Sequence, residues 1–313
     1  MSLRTRWTAA LAVVLALLLT ACGGRQAVSP PPSVSAATPG PDVSQISDGT
    51  LVYTNLNGET AKAEVFARLT AAGVPQADVD ALSAWVDDYN SVMADCPSFT
   101  LEPEFVACQA AAVDYGDYVD MNYAWFKAGE REDFDPLCRV AAYRLMRSFL
   151  SVEHPLSPDQ WQCQTEAQWL YSDYDVFSTY ALMDLTEEDQ AAHFTLWDPV
   201  PVTGCASEAE VGQAVLDRWQ DDGIRFSGGQ VSLISIWEQS DNCVVNCHAA
   251  VLVEDAAGYL LFEKTNPQSP YQATKFSSLE QVKAYMLASL ALSLAEYDDV
   301  PGVCAVLRND QLL

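Results

Sequence analysis

Three side chains widely separated along the chain could together perform nucleophilic chemistry. Cys138 follows Asp135-Pro136, a helix-opening dipeptide, and a helix is predicted over Leu137 to Leu150 with His154-Pro155 beyond its end. Cys138 thus falls in a first helical turn, where unpaired amide N–H groups and the helix dipole favour a thiolate. His248 lies at the start of a strand predicted over Cys247 to Glu254, and Tyr259 to Thr265 forms its hairpin partner across Asp255-Ala256-Ala257-Gly258. A thiolate, an imidazole to move its proton and a polar group to orient the imidazole make up a cysteine nucleophile's machinery. Hairpin register decides the third member. With Gly258 as the left-handed residue of a type I turn plus bulge, Asp255 pairs with Tyr259 and His248 faces Asn266. A register one residue shorter brings in Glu263 instead.

Each member also has a structural reading. Cys138 can be half of a disulfide or a small buried apolar residue, and His248 a satisfied histidine at a sheet edge. Glu263-Lys264 can be an ion pair, while Tyr271-Gln272 and Lys275 can hold a loop. His154 and His193 read as structural. Besides Cys22 there are eight cysteines, an even number that permits four disulfides, with Cys96–Cys108 the easiest local pair. Cys243 and Cys247 beside His248 have ligand-like spacing, but no second pair follows at zinc-module distance, so neither a metal nor a cofactor is expected. G-x-S-x-G, P-loop, dinucleotide and H-E-x-x-H motifs are missing from the sequence. The acids Asp87-Asp88, Glu187-Glu188-Asp189 and Asp298-Asp299 suit solvated helix ends. Trp161, Trp169, Tyr171 and Tyr174 can pack in a core or line a sugar- or peptide-binding groove.

The N-terminus carries a different chemistry. Arg4 and Arg6 precede an apolar block from Ala9 to Leu19, which is an export signal too short to span a bilayer. The following Leu19-Thr20-Ala21-Cys22 resembles a bacterial lipobox, which implies acylation of Cys22 (diacylglycerol, with palmitate-type chains) and lasting membrane anchorage. The expected organisation is a signal peptide over 1–21, a Pro/Ser-rich tether over 22–50 and a single domain over 51–313. The lipid bilayer is then the first partner, on the extracytoplasmic face of the cell membrane, where cysteines can be oxidised. Net charge is −27, with 43 acidic and 16 basic residues and no basic run. That excludes nucleic acid, which is bound by cations on its phosphates.

The elements that must position these residues change character along the chain. Helices are predicted over Glu59 to Ala72, over Asp78 to Tyr89 (Val79, Leu82, Trp85, Val86 and Tyr89 on one face), over Phe105 to Lys127, and over Ser207 to Asp221 with Ser207 as cap. From Ile224 the period shortens, with Val231 to Trp237 as a strand ahead of the hairpin and Ser277 to Ala295 as a closing helix. A helical N-terminal half, then an antiparallel sheet and a C-terminal helix, define an α+β class.

Two resemblances follow. Tyr53-Thr54-Asn55-Leu56, Trp85-Val86-Asp87-Asp88-Tyr89-Asn90, Cys138-Arg139, His248 through Val253, Leu261-Phe262-Glu263-Lys264 and Pro270-Tyr271-Gln272-Ala273-Thr274-Lys275-Phe276 resemble the DUF4300 family of bacterial lipoproteins. The likeness covers essentially the whole folded part. It implies an exported domain, lends no activity, and favours Glu263 over Asn266. Helix-borne Cys, then strand-borne His, then an acid is also the order in papain-like and NlpC/P60-type peptidases. That order implies a papain-like arrangement in which Cys138, His248 and Glu263 would cleave peptide or amide bonds, with a peptide or cell-wall substrate. The reading from a different class is a non-enzymatic surface lipoprotein that binds a ligand or protein through its acidic, aromatic-rich face.

Overall fold

Val231–Ser240 is a run of Val, Ile, Leu and Ser buried along most of its length, so its backbone groups need partners on both edges. In the computed structural model, which describes residues 49–160, 170–240, 242–295 and 300–313, this run is a central strand, β6. Its neighbours are β7 (Cys243–Asp255) and β10 (Cys304–Arg308). Beyond β7 follow β8 (Gly258–Lys264), β9 (Tyr271–Phe276), β1 (Thr50–Thr54) and β2 (Val106–Gln109). On the other side β11 (Gln311–Leu312) pairs with β10, and the short β4 (Val200–Pro201) pairs with the start of β7. Every neighbouring pair is antiparallel, with β3 (Leu150–Ser151) and β5 (Arg225–Phe226) forming a separate ribbon.

The chain is therefore α+β. Leu233, Val251, Phe262 and Ala273 turn to one face, against α1 (Glu59–Ala71), α2 (Gln76–Met93), α4 (Cys138–Met146) and α7 (Glu208–Asp221). Ile234, Ile236, Ala250, Leu252 and Leu261 turn to the other, against Val282, Tyr285, Met286 and Leu290 of α8 (Leu279–Ala295). Alternation along each strand sends neighbouring residues to opposite layers. The helix α4 is buried along its entire length. Ser207 caps α7 as its sequence predicts, accepting from Glu210 N. Among the described residues no helix is long and apolar enough to cross a membrane.

Several expectations are corrected. Phe105 to Lys127 is not one helix: Val106–Gln109 is drawn into the sheet by pairing with β1. Only at Tyr118 does a short helix begin (α3, Tyr118–Asn122), capped by Asp117 and running into a π-turn over Tyr123–Ala128. Tertiary pairing overrides local propensity there. Tyr271, Gln272 and Lys275 belong to a paired strand rather than a loop. The expected C-terminal helix is present over Leu279–Ala295, and the chain adds β10 and β11 after it. Cys96 and Cys108 are not bonded to each other, and they, Cys138, Cys205, Cys247 and Cys304 are free thiols. Cys22, the tether up to residue 48, Trp161, Cys163, Trp169 and Asp298-Asp299 lie outside the described residues, while Thr50, expected in the tether, already belongs to β1.

Candidate active site

Leu137, in extended conformation, precedes the first turn of α4 and supplies no side-chain cap to the helix that opens at Cys138. Two further helices complete the layer around it: α5 (Tyr171–Thr179) and α6 (Glu187–Leu196). The approach to Cys138 is pinned by a buried ion pair, Lys264 Nζ to Asp135 Oδ2 at 2.6 Å, with both side chains fully buried. Lys264 also lies over the Tyr89 and Tyr271 rings and donates to Ser269 O. Glu263-Lys264 is thus not an ion pair with itself. Adjacent residues on a strand face opposite ways, and Lys264 meets the aspartate two residues upstream of Leu137.

His248 is aimed by a bulge. Opposite Ile236 and Trp237 the paired residues are His248 and Asn246, leaving Cys247 as the extra residue. The Asn246 side chain ties this irregularity, donating to Ile236 O and His248 O at 3.1 Å each. Across the hairpin Asp255 pairs with Gly258 and Ala250 with Glu263, the shorter of the two registers. Glu263 is then the diagonal neighbour of His248 on one face, and His248 Nε2 lies 2.6 Å from Glu263 Oε2. Asn266 falls past the end of β8, where its carbonyl accepts from Ser269 N in a turn. The other Glu263 oxygen accepts a short hydrogen bond from Tyr285 and a longer one from Gln272 at 3.4 Å. Tyr115 in turn donates to Gln272.

Cys138 and His248 meet where β8 stops. Strand β7 pairs with β8 only from Ala250 onward and with β4 at Cys243 and Val244, so the stretch between faces α4 instead. Burial alone would raise the Cys138 thiol. It is outweighed by hydrogen bonding to His248 and the charges of Arg139 and His248, so the thiol sits below its ordinary value. Burial alone would equally lower His248, but its bonds to Cys138 and Glu263 push it up to about 10. Nε2 is held by Glu263, while the buried Nδ1 makes no hydrogen bond among the described residues. The pair favours thiolate and imidazolium.

A second buried histidine lies behind this pair. Asp173 of α5 receives Arg139 Nε at 2.8 Å, Arg139 Nη2 at 2.6 Å and His193 Nε2 of α6 at 2.8 Å. Burial raises the Asp173 carboxyl, but Arg139 and His193 hold it below its usual range, while burial keeps His193 low. Asp173 and Tyr285 carry no motif in the sequence, and only the fold shows what they touch. Tyr171 and Tyr174, the described part of the aromatic stretch, are partly exposed. Among the described residues no group of three or more His, Cys, Asp or Glu side chains is arranged to hold a metal ion.

Fold and site together define an α+β protein with a buried Cys-His-Glu constellation spanning a helix N-terminus and a β-hairpin. The chain belongs to the DUF4300 family, whose model, described as a domain of unknown function, matches residues 52–313. Comparison with curated proteins and with solved structures returned no match.

Proposed function

We propose that the chain is a papain-like cysteine hydrolase of peptide or amide bonds, with Cys138 as nucleophile, His248 as general base and acid, and Glu263 orienting the imidazole. The observation that carries this reading is the buried His248–Glu263 bond at 2.6 Å, with the Cys138 thiol at the start of α4 held below its ordinary value, against burial, by His248 and Arg139. In the reaction the Cys138 thiolate attacks the carbonyl carbon, and backbone N–H groups at the start of α4 would be the donors to the developing oxyanion. The His248 imidazolium gives its proton to the departing amine, leaving a thioester on Cys138. Neutral His248 then takes a proton from water as the water attacks that thioester, and the acid product leaves as the thiolate–imidazolium pair is restored. Leu19-Thr20-Ala21-Cys22 supports placing this activity on the extracytoplasmic face, tethered through acylated Cys22 and within reach of cell-wall or surface peptides.

The test is alkylation of intact protein by iodoacetamide at pH 6, mapped by mass spectrometry. Cys138 is expected to react faster than the other thiols and faster than free cysteine, with Cys138→Ala abolishing the signal and His248→Ala slowing it. A Cys138 that reacts no faster than free cysteine refutes the enzyme and leaves the binding-protein reading. Detergent phase partition of wild type and Cys22→Ala tests the anchor separately: only the wild type should enter the detergent phase.

A further inference from the structure

Arg139 follows the nucleophile directly, yet its side chain is committed elsewhere. Its guanidinium makes a two-pronged bond to Asp173 and extends Nη1 to the carbonyl of Asn246 at 3.4 Å. Asn246 is the residue whose side chain holds the His248 carbonyl at the bulge. Asp173 is completely buried and shared with His193, whose ring is enclosed by Tyr143, Phe177, Phe194 and Trp197. One arginine therefore joins the helix of Cys138, the helices of Asp173 and His193, and the strand of His248. Stability alone is a poor reason for this, because a buried ion pair is often no better than well-packed apolar residues. A planar, forked cation does fix geometry in a way that lysine cannot.

We propose that Arg139 is a positioning residue for the cysteine–histidine pair: clamped by Asp173 and His193, it sets the Cys138 helix against the Asn246 bulge that aims His248. This rests on the reading of Cys138 and His248 as the reactive pair. The charged groups facing the thiol are His248 of β7, Arg139 of its own helix and Asp173 of α5. Arg139 draws the thiol towards the ionised form, whereas Asp173 opposes it. That opposition separates a strut from a mere neighbouring charge.

The experiment measures the pH profile of Cys138 alkylation in the full chain for wild type, Arg139→Gln, Arg139→Lys and Asp173→Asn, with circular dichroism to confirm folding. Arg139→Gln should move the profile to higher pH and slow alkylation at pH 6 at least tenfold, with Arg139→Lys restoring only part. Asp173→Asn decides between the causes. Removing a nearby negative charge alone would move the profile down, while releasing the clamp moves it up. An upward shift sustains the proposal, and an unchanged or downward profile overturns it. Should Asp173→Asn fail to fold, Arg139→Lys decides, because it keeps the charge and loses the fork: a displaced profile sustains the strut and a wild-type profile overturns it. A wild-type Cys138 with an ordinary thiol profile instead refutes the parent reading, so the two failures are distinguishable.

Discussion

Glu263→Gln is the substitution that tests the candidate site most directly, because it removes one charge and keeps nearly the same shape. The carboxylate touches His248 Nε2 at 2.6 Å in a buried setting, and the ring is held up at about 10. For charges about 4 Å apart at an effective dielectric of about 20, Coulomb's law gives ~4 kcal/mol. At about 1.36 kcal/mol per pKa unit that is ~3 units. His248 in the variant should therefore titrate near ~7, on the same arithmetic. The chain has three histidines, so proton NMR can follow each ring, with His248→Gln assigning the signal. As the ring loses its charge the thiol loses a counter-ion, and Cys138 alkylation should shift to higher pH in parallel. A variant ring that titrates within about half a unit of wild type would sink the assignment of Glu263 as partner, since the expected change is ~3 units.

The same shifts fix how stability should respond to pH. His248 is raised, so its contribution is complete below pH 6.5 and is lost as pH climbs through about 10. Cys138 is lowered from 9.0, so its contribution is complete above that value and is lost as pH falls towards the folded pKa. Between the folded Cys138 pKa and 9 the two oppose each other, because folding moves a proton within the pair and releases few. Above pH 9 only His248 still differs between the folded and unfolded chains, so stability from this pair falls as pH climbs towards about 10.

Two further perturbations test what holds the pair in place. Lys264→Met leaves Asp135, whose carboxyl burial already pushes up to about 6, without its cation, which should cost about 3–5 kcal/mol, whereas Lys264→Met with Asp135→Asn should recover much of it. Urea unfolding of the four-member cycle measures the coupling, and simple additivity of the two single costs would rule the ion pair out as a unit. Gly258→Ala should cost about 1–3 kcal/mol, since Gly258 has φ +103° and an added Cβ would sit 2.9 Å from Phe276 O. Because that turn sets the register of Glu263, the variant should also lower the His248 pKa. Wild-type unfolding and titration together would remove Gly258 from the argument.

Most of the elements were readable from sequence because their signals are local. The Val/Ile/Leu run of β6, the hairpin turn at Gly258 and the Ser207 cap each act within a few residues. What was not readable depended on distant partners. Val106–Gln109 is a strand because β1 lies alongside it, and Tyr271–Phe276 is one because it lies between β8 and β1. The choice between Glu263 and Asn266 turned on a single step of register, which two plausible turn geometries left open. Asp173 could not be singled out from a chain with 43 acidic residues, since its meaning lies in a contact with Arg139 thirty-four positions away.

That single step of register carries more than the choice of one acid. On β8 the even residues Leu260, Phe262 and Lys264 face the layer that contains α4, while Leu261 and Glu263 face α8. Glu263 therefore orients His248 from one side of the sheet, and Lys264, the next residue, secures Asp135 ahead of Cys138 from the other. A slip of one residue would turn a carboxylate towards Asp135 and a lysine towards His248. Both contacts would become like-charge repulsions in buried surroundings, where they are most costly. The strand is thus specified against that slip at two sites at once, and the geometry of the Cys138–His248–Glu263 site follows from the same parity that buries the sheet.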